Sequence, residues 1–67
     1  LLYQLKLAHV FMFSNKVDEA KAIHKLYKDN NVSSSKSWIA QTKFDFEDFE
    51  KRGFPTDNFK KILRILE

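Results

Sequence analysis

Cysteine, glycine and proline are almost missing from this sequence, and each shortage excludes a class of structure. With no cysteine, the chain can form neither a disulfide framework nor a thiolate metal site. A single glycine excludes a glycine-rich phosphate-binding loop, and one glycine with one proline argues against a disordered or sheet-rich chain. The longest apolar run, Val10 to Phe13, is far shorter than the roughly 20 residues needed to span a bilayer. We expect no membrane contact and a cytoplasmic location. Because the chain begins Leu-Leu rather than Met, we also expect a fragment of a longer product.

Large apolar residues and lysines are what the chain has in quantity. With 43% hydrophobic and 15% aromatic residues, residues 1–67 are expected to fold as one small helical domain, close to the lower size limit for a self-sufficient core. The net charge is +3, and up to Ser37 six lysines face only three acidic residues. A solvated helix face explains this excess most simply, but a small basic helical nucleic-acid-binding module remains the alternative. Its phosphate contacts would be Lys16, Lys21, Lys25, Lys28 and Lys36.

Apolar residues recur at helical spacing along most of the chain. The alternating run Phe44 to Phe49 also fits a strand, but the residues after it favour a helix. Gly53 suits the left-handed position that follows a helix, Phe54 can fold back onto Phe49, and Pro55 prevents continuation. We expect an all-α fold of antiparallel helical hairpins, with helices at about 2–14, 17–30, 38–52 and 57–66.

Short polar residues mark the starts of the last two helices. Ser35 or Ser37 is available to cap helix three, and Thr56 or Asp57 to cap helix four. The serines at 33–35 are expected to form a flexible connector.

Helix one has more apolar surface than its own chain can cover. Only Gln4, Lys6 and His9 are clearly polar among its first thirteen residues. A helix that is apolar on nearly all sides is usually buried on nearly all sides. The other three helices of this chain can cover only one side of helix one. We expect the other side to pack against upstream residues of the same protein or against a second copy of the chain, as in a homodimer.

The first hairpin resembles one tetratricopeptide repeat, a helix-turn-helix unit of about 34 residues. Tyr3 or Gln4, Leu7-Ala8 and Phe11 stand where that pattern has a large residue, a Leu with a small residue, and an aromatic. Asp18-Glu19 and Ala20 answer the acidic pair and small residue of its second helix.

The sequence also departs from the tetratricopeptide pattern. His24 stands at an aromatic position, Tyr27 replaces an alanine, and the closing proline is missing near Asn31-Val32. Residues 36–67 match no second repeat and resemble a C-terminal capping segment. The resemblance implies a unit at 1–32 followed by a cap at 36–67, at the end of an α-α superhelix. It also implies that the protein is an interaction scaffold without catalysis or cofactor.

Three polar or aromatic groups have both a functional and a structural interpretation. His9 and His24 could meet across the hairpin and bind a metal ion, but partly exposed or hydrogen-bonded histidines are the favoured interpretation, so we predict no metal. The carboxylates between Asp45 and Glu50 could support acid–base chemistry, but ion pairs such as Glu47 with Lys51 are favoured, and we predict no enzyme. Five aromatics could stack bases, but their spacing favours a core: Trp38, Phe46, Phe49, Phe54 and Phe59.

We therefore predict that the chain binds another protein. Phe13 and Phe44 fall off the main apolar stripes, and helix one supplies the remaining contact residues. The predicted partner-contact residues are Leu2, Leu5, His9, Met12, Phe13 and Phe44.

Overall fold

Four helices make up the molecule, and the computed structural model describes all 67 residues. The helices are α1 (Leu2–Phe13), α2 (Val17–Tyr27), α3 (Trp38–Lys51) and α4 (Phe59–Leu66). The all-α prediction is therefore confirmed. None of the four combines the length and the hydrophobicity that crossing a membrane requires.

A short turn reverses the chain between α1 and α2. Asn15 takes the left-handed conformation, with φ of 65°. The Lys16 amide donates to the Phe11 carbonyl at 2.8 Å and the Asn15 amide to the Met12 carbonyl at 3.3 Å, which is the Schellman pattern. The hairpin packs closely, because the small side chains of Ala8 and Ala20 are both fully buried.

The connector between α2 and α3 is a closed loop rather than an open tether. The Trp38 amide donates to the Asn30 carbonyl at 2.9 Å, and the Val32 amide donates to the Lys36 carbonyl at 3.0 Å. These bonds turn the chain away from the helix axis, so α2 ends at Tyr27, and the prediction that it reaches Asn30 is wrong.

Capping fixes the start of α3 and its end. The Ser37 hydroxyl accepts a hydrogen bond from the Ala40 amide at 3.1 Å, so Ser37 is the cap. At the other end Gly53 has φ of 84°, and the Phe54 amide donates to the Phe49 carbonyl at 3.0 Å. The rings of Phe49 and Phe54 meet edge to face at 5.5 Å, so the predicted stop signal is confirmed.

The start of α4 was predicted two residues too early. Neither Thr56 nor Asp57 caps it, because the residue before Phe59 is Asn58. The Asn58 side chain makes no cap bond and donates instead to the Met12 carbonyl at 3.3 Å. This bond joins the beginning of α4 to the end of α1.

One apolar core holds the four helices together. Its buried residues come from all four helices, and Trp38, the largest of them, is 0% exposed. Leu26 of α2 lies outside this core, with 70% of it exposed. The core consists of Leu5, Met12, Ala20, Trp38, Phe46, Phe59, Ile62 and Leu66.

Candidate protein-binding surface

The side of α1 that faces away from the core is apolar. Tyr3 is 74% exposed, Val10 57% and Leu2 49%, while Phe13 is also classed as exposed. At 100° per residue these side chains share one face of the helix with Lys6, the only charged residue there. We call Leu2, Tyr3, Lys6, Val10 and Phe13 the outer face of α1.

A groove of about 570 Å³ adjoins this face, between α1 and α3. Its α1 side shares Lys6, Val10 and Phe13 with the outer face, and Asp48 lies on its α3 side. Phe13, Phe49 and Phe54 are packed against one another, with ring centroids 5.0 to 5.5 Å apart. The apolar outer face therefore continues into a concave surface with aromatic walls, which we call the α1–α3 groove.

Polar groups in the groove are fixed by hydrogen bonds. His9 Nε2 lies 2.9 Å from a carboxylate oxygen of Asp45, and the Gln41 side-chain amide donates to the other oxygen at 2.8 Å. Asp48 pairs at 3.0 Å with Arg52, the residue that follows the last residue of α3, so this is the ion pair observed and not the predicted Glu47–Lys51 pair. The carboxylates of both acidic residues in the groove are thus bonded to neighbouring side chains.

A second imidazole lies behind the first. The Trp38 indole N–H donates to His24 Nδ1 at 2.9 Å, and the centroids of the His9 and His24 rings are 6.4 Å apart. The prediction that the two histidines can meet across the hairpin is consistent with this separation.

Both imidazoles are neutral at pH 7. Burial lowers the pKa of His24 to about 4, and the neighbouring His9 ring acts in the same direction. Burial also lowers the pKa of His9, although the hydrogen bond to Asp45 and the charge of its carboxylate oppose this. The contact between His9 and Asp45 is therefore a hydrogen bond to a carboxylate rather than an ion pair.

His24 has no lone pair left for a metal ion. An indole nitrogen can only donate, so His24 Nδ1 accepts and the ring proton sits on Nε2. A neutral imidazole in that state has used its single acceptor.

The structure separates the six predicted contact residues into two groups. Leu5 is 1% exposed, Met12 1% and His9 6%, so the prediction that these three contact a partner is wrong. Their side chains belong to the core and its margin. The core takes them because α2, α3 and α4 all cover that side of α1. The remaining three, Leu2, Phe13 and Phe44, are exposed, but Phe44 lies outside the groove with the Lys36 ammonium 4.4 Å from its ring centroid.

Sequence reasoning missed most of the surface. Tyr3 and Val10 on α1, and the groove residues Asp45, Phe49 and Phe54, were not among the predicted contacts. The spacing of Lys6, Val10 and Phe13, at i, i+4 and i+7, was the available signal for the face that borders the groove.

Comparison with protein-family models, curated proteins and solved structures yields no match. The resemblance to a tetratricopeptide repeat therefore stays a prediction.

Proposed function

We propose that this chain is a protein-interaction module that packs a helical hairpin of its own kind against the outer face of α1, as the end unit of a tetratricopeptide-like array. The observation that carries the proposal is the exposure of Leu2, Tyr3, Val10 and Phe13 on one side of one helix. Contiguous exposed apolar surface of this sort is typical of interaction sites.

The composition of the outer face favours a helix as the occupant. Its one charged residue is Lys6, whose long aliphatic stem can lie along a neighbouring helix while the ammonium group reaches water. α1 has 12 residues and is about 18 Å long, so a helix of similar length would cover the whole face. A partner with the same apolar character is either a neighbouring repeat or a second copy of the chain.

The free energies of burial and association favour a partner in the same polypeptide over a separate molecule. Burying a fully exposed large apolar side chain contributes roughly 1.5–3 kcal/mol, so four half-exposed ones contribute roughly 3–6 kcal/mol per chain, and roughly 6–12 kcal/mol when two copies bury the same face. Free association costs about 4–15 kcal/mol in lost translational and rotational freedom. Untethered copies should therefore associate weakly, whereas a repeat in the same polypeptide avoids most of that cost.

Sedimentation velocity across a wide range of concentrations tests the proposal. We expect a reversible monomer–dimer equilibrium at high concentration, together with binding of a hydrophobic dye at low concentration. Val10→Lys should weaken both dimerisation and dye binding, because it places a second charge in the middle of the outer face. Leu26→Lys is the matched control, since it also puts lysine at an exposed apolar position late in a helix.

The outcome against the proposal is equally definite. A chain that stays monomeric throughout, with dye binding unchanged by Val10→Lys, would show that the outer face is not adhesive.

Nucleic-acid binding is the second candidate. The five lysines expected to contact phosphates form no ion pair with a carboxylate; they are Lys16, Lys21, Lys25, Lys28 and Lys36. Lys21 and Lys25 share one side of α2, which Lys28 continues just after the helix, but the Lys36 ammonium lies over the Phe44 ring. No aromatic side chain accompanies the α2 lysines, so this candidate ranks below the apolar surface.

A further inference from the structure

Two buried imidazoles lie at the place where three helices meet. His9 belongs to α1 and His24 to α2, and α3 supplies a partner to each, Asp45 to the first and Trp38 to the second. Each ring therefore has one nitrogen engaged. The other two nitrogens, Nδ1 of His9 and Nε2 of His24, are buried and have no protein partner.

Hydrogen-bond chemistry fixes where the protons are. Because the Trp38 indole can only donate, His24 must carry its proton on Nε2. Because an ionised carboxylate can only accept, His9 must also carry its proton on Nε2, which points to Asp45. The two unpartnered atoms are thus a donor on His24 and an acceptor on His9, and they are complementary.

The spacing of the rings favours a bridge over a direct bond. An N–H···N hydrogen bond of about 2.9 Å would bring the ring centroids to about 5 Å, whereas they are 6.4 Å apart. The rings are thus farther apart than a direct bond allows, and each has a buried unpartnered nitrogen of opposite type, which is the situation in which one ordered water can link them.

We propose that the two imidazoles belong to one directional hydrogen-bonded chain running from the Trp38 indole to the Asp45 carboxylate. One buried water molecule links the rings, and the chain, which joins α1 and α2 to α3, keeps its donor-to-acceptor order only while both rings are neutral. A second proton on His24 would turn its Nδ1 into a donor facing the Trp38 donor. A second proton on His9 would reverse the bond between its Nδ1 and the water, so the water would accept from both rings and its own O–H groups would be left without an acceptor.

Few charged groups surround this chain. Asp45 contacts His9 from α3, and each ring faces the other. Lys6 and Asp48 lie along the same groove as His9. Asp45 is the only carboxylate in contact with either ring, so it is the one group that favours a proton on His9.

Nitrogen NMR of the ¹⁵N-labelled chain near neutral pH reads the tautomers directly. We expect both rings to be protonated only at Nε2, with a water cross-peak to the His24 Nε2 proton. A proton on Nδ1 of either ring, or a mixture of tautomers, would overturn the proposal.

One substitution tests whether the chain is continuous. In Asp45→Asn, the new side chain can donate or accept, so it no longer dictates the tautomer of His9. If the chain is continuous, His24 still holds His9 in the Nε2–H form, whereas independent rings would leave His9 as a mixture. Asp45 lies at the margin of the core, so this variant should fold.

Two further measurements complete the test. In Asp45→Asn combined with Trp38→Phe, neither end is fixed, and both rings should become mixtures; this double variant is the control. On lowering the pH of the unaltered chain, the signals of both rings should change in one transition. Protonation of one ring while the other keeps its hydrogen-bonded signal would contradict the proposal.

Discussion

Acid should destabilise this protein through His24. The ring is fully buried and neutral in the folded state, with a pKa lowered to about 4, while an unfolded chain restores an ordinary value near 6.5. Between these two values the unfolded state binds more protons than the folded state. Stability is therefore greatest above pH 6.5 and falls as the pH drops from 6.5 toward 4.

The size of the effect follows from the two pKa values. Each pKa unit corresponds to about 1.4 kcal/mol, so the full difference is worth roughly 3 kcal/mol below pH 4 and roughly 2 kcal/mol near pH 5. For a domain of this size, a loss of 2 kcal/mol lowers the melting temperature by about 10 °C. The lowered pKa of His9 adds a loss of the same sign.

Urea denaturation near pH 8 and near pH 5 measures this loss. Trp38 is the only tryptophan and is fully buried, so its fluorescence reports unfolding. Measurement near pH 5 keeps most carboxylates ionised, since ordinary Asp and Glu titrate near pH 4. We expect the free energy of unfolding to fall by roughly 2 kcal/mol or more between the two conditions.

His24→Asn is the decisive comparison. An asparagine side chain can still accept from the Trp38 indole at the position of Nδ1, but it does not titrate. This variant should be less stable near pH 8, because it leaves a small cavity, yet it should lose about 2 kcal/mol less on going to pH 5. His9→Gln serves as the parallel variant at the other ring. Equal losses for the unaltered chain and for His24→Asn would refute the reasoning.

Three further predictions concern the helix caps and the lysines. Gly53→Ala should destabilise the protein by about 1–2 kcal/mol in thermal melts. The cause is the left-handed backbone conformation alone, because nothing lies within 4 Å of the added carbon, and Gly53→Asn should cost less. Ser37→Ala should cost about 1 kcal/mol through the lost bond to the Ala40 amide, while Ser34→Ala, whose hydroxyl makes no hydrogen bond, should change nothing measurable. If the chain binds nucleic acid, retention on a polyanion column should fall steeply with salt, and a triple Lys→Gln variant should shift it further. The three lysines to replace are Lys21, Lys25 and Lys28.

Features that depend on neighbouring residues in the sequence could be predicted. The end of α3 is one, because Gly53 and the Phe49–Phe54 contact all lie within a few positions of the last turn. The start of α4 is not local in this sense. Asn58 bonds to the Met12 carbonyl, 46 positions earlier, and no sequence pattern foretells that contact.

The candidate surface was harder to predict than the fold. Both sides of α1 are rich in apolar residues, so the sequence gives no contrast to show which side faces the core. Leu5 and Met12 were therefore named as contacts in place of Tyr3 and Val10. The histidines could be expected to approach each other within the hairpin, but their partners come from α3, whose position depends on the whole core.

The side chains of α1 fall into two groups: those that the folded core buries and those that remain exposed to solvent. The buried side carries Leu5, Ala8, His9 and Met12, and the solvent side carries Tyr3 and Val10 as well as Lys6. An ordinary surface helix has mostly polar groups on its solvent side, so the apolar solvent side of α1 is the unusual feature. Since the outer side chains lie outside the core, their burial against a partner would be a gain separate from the folding of the monomer. That separation is why Val10→Lys can weaken association without unfolding the chain, whereas changes at the His9 side of the same helix must affect folding first.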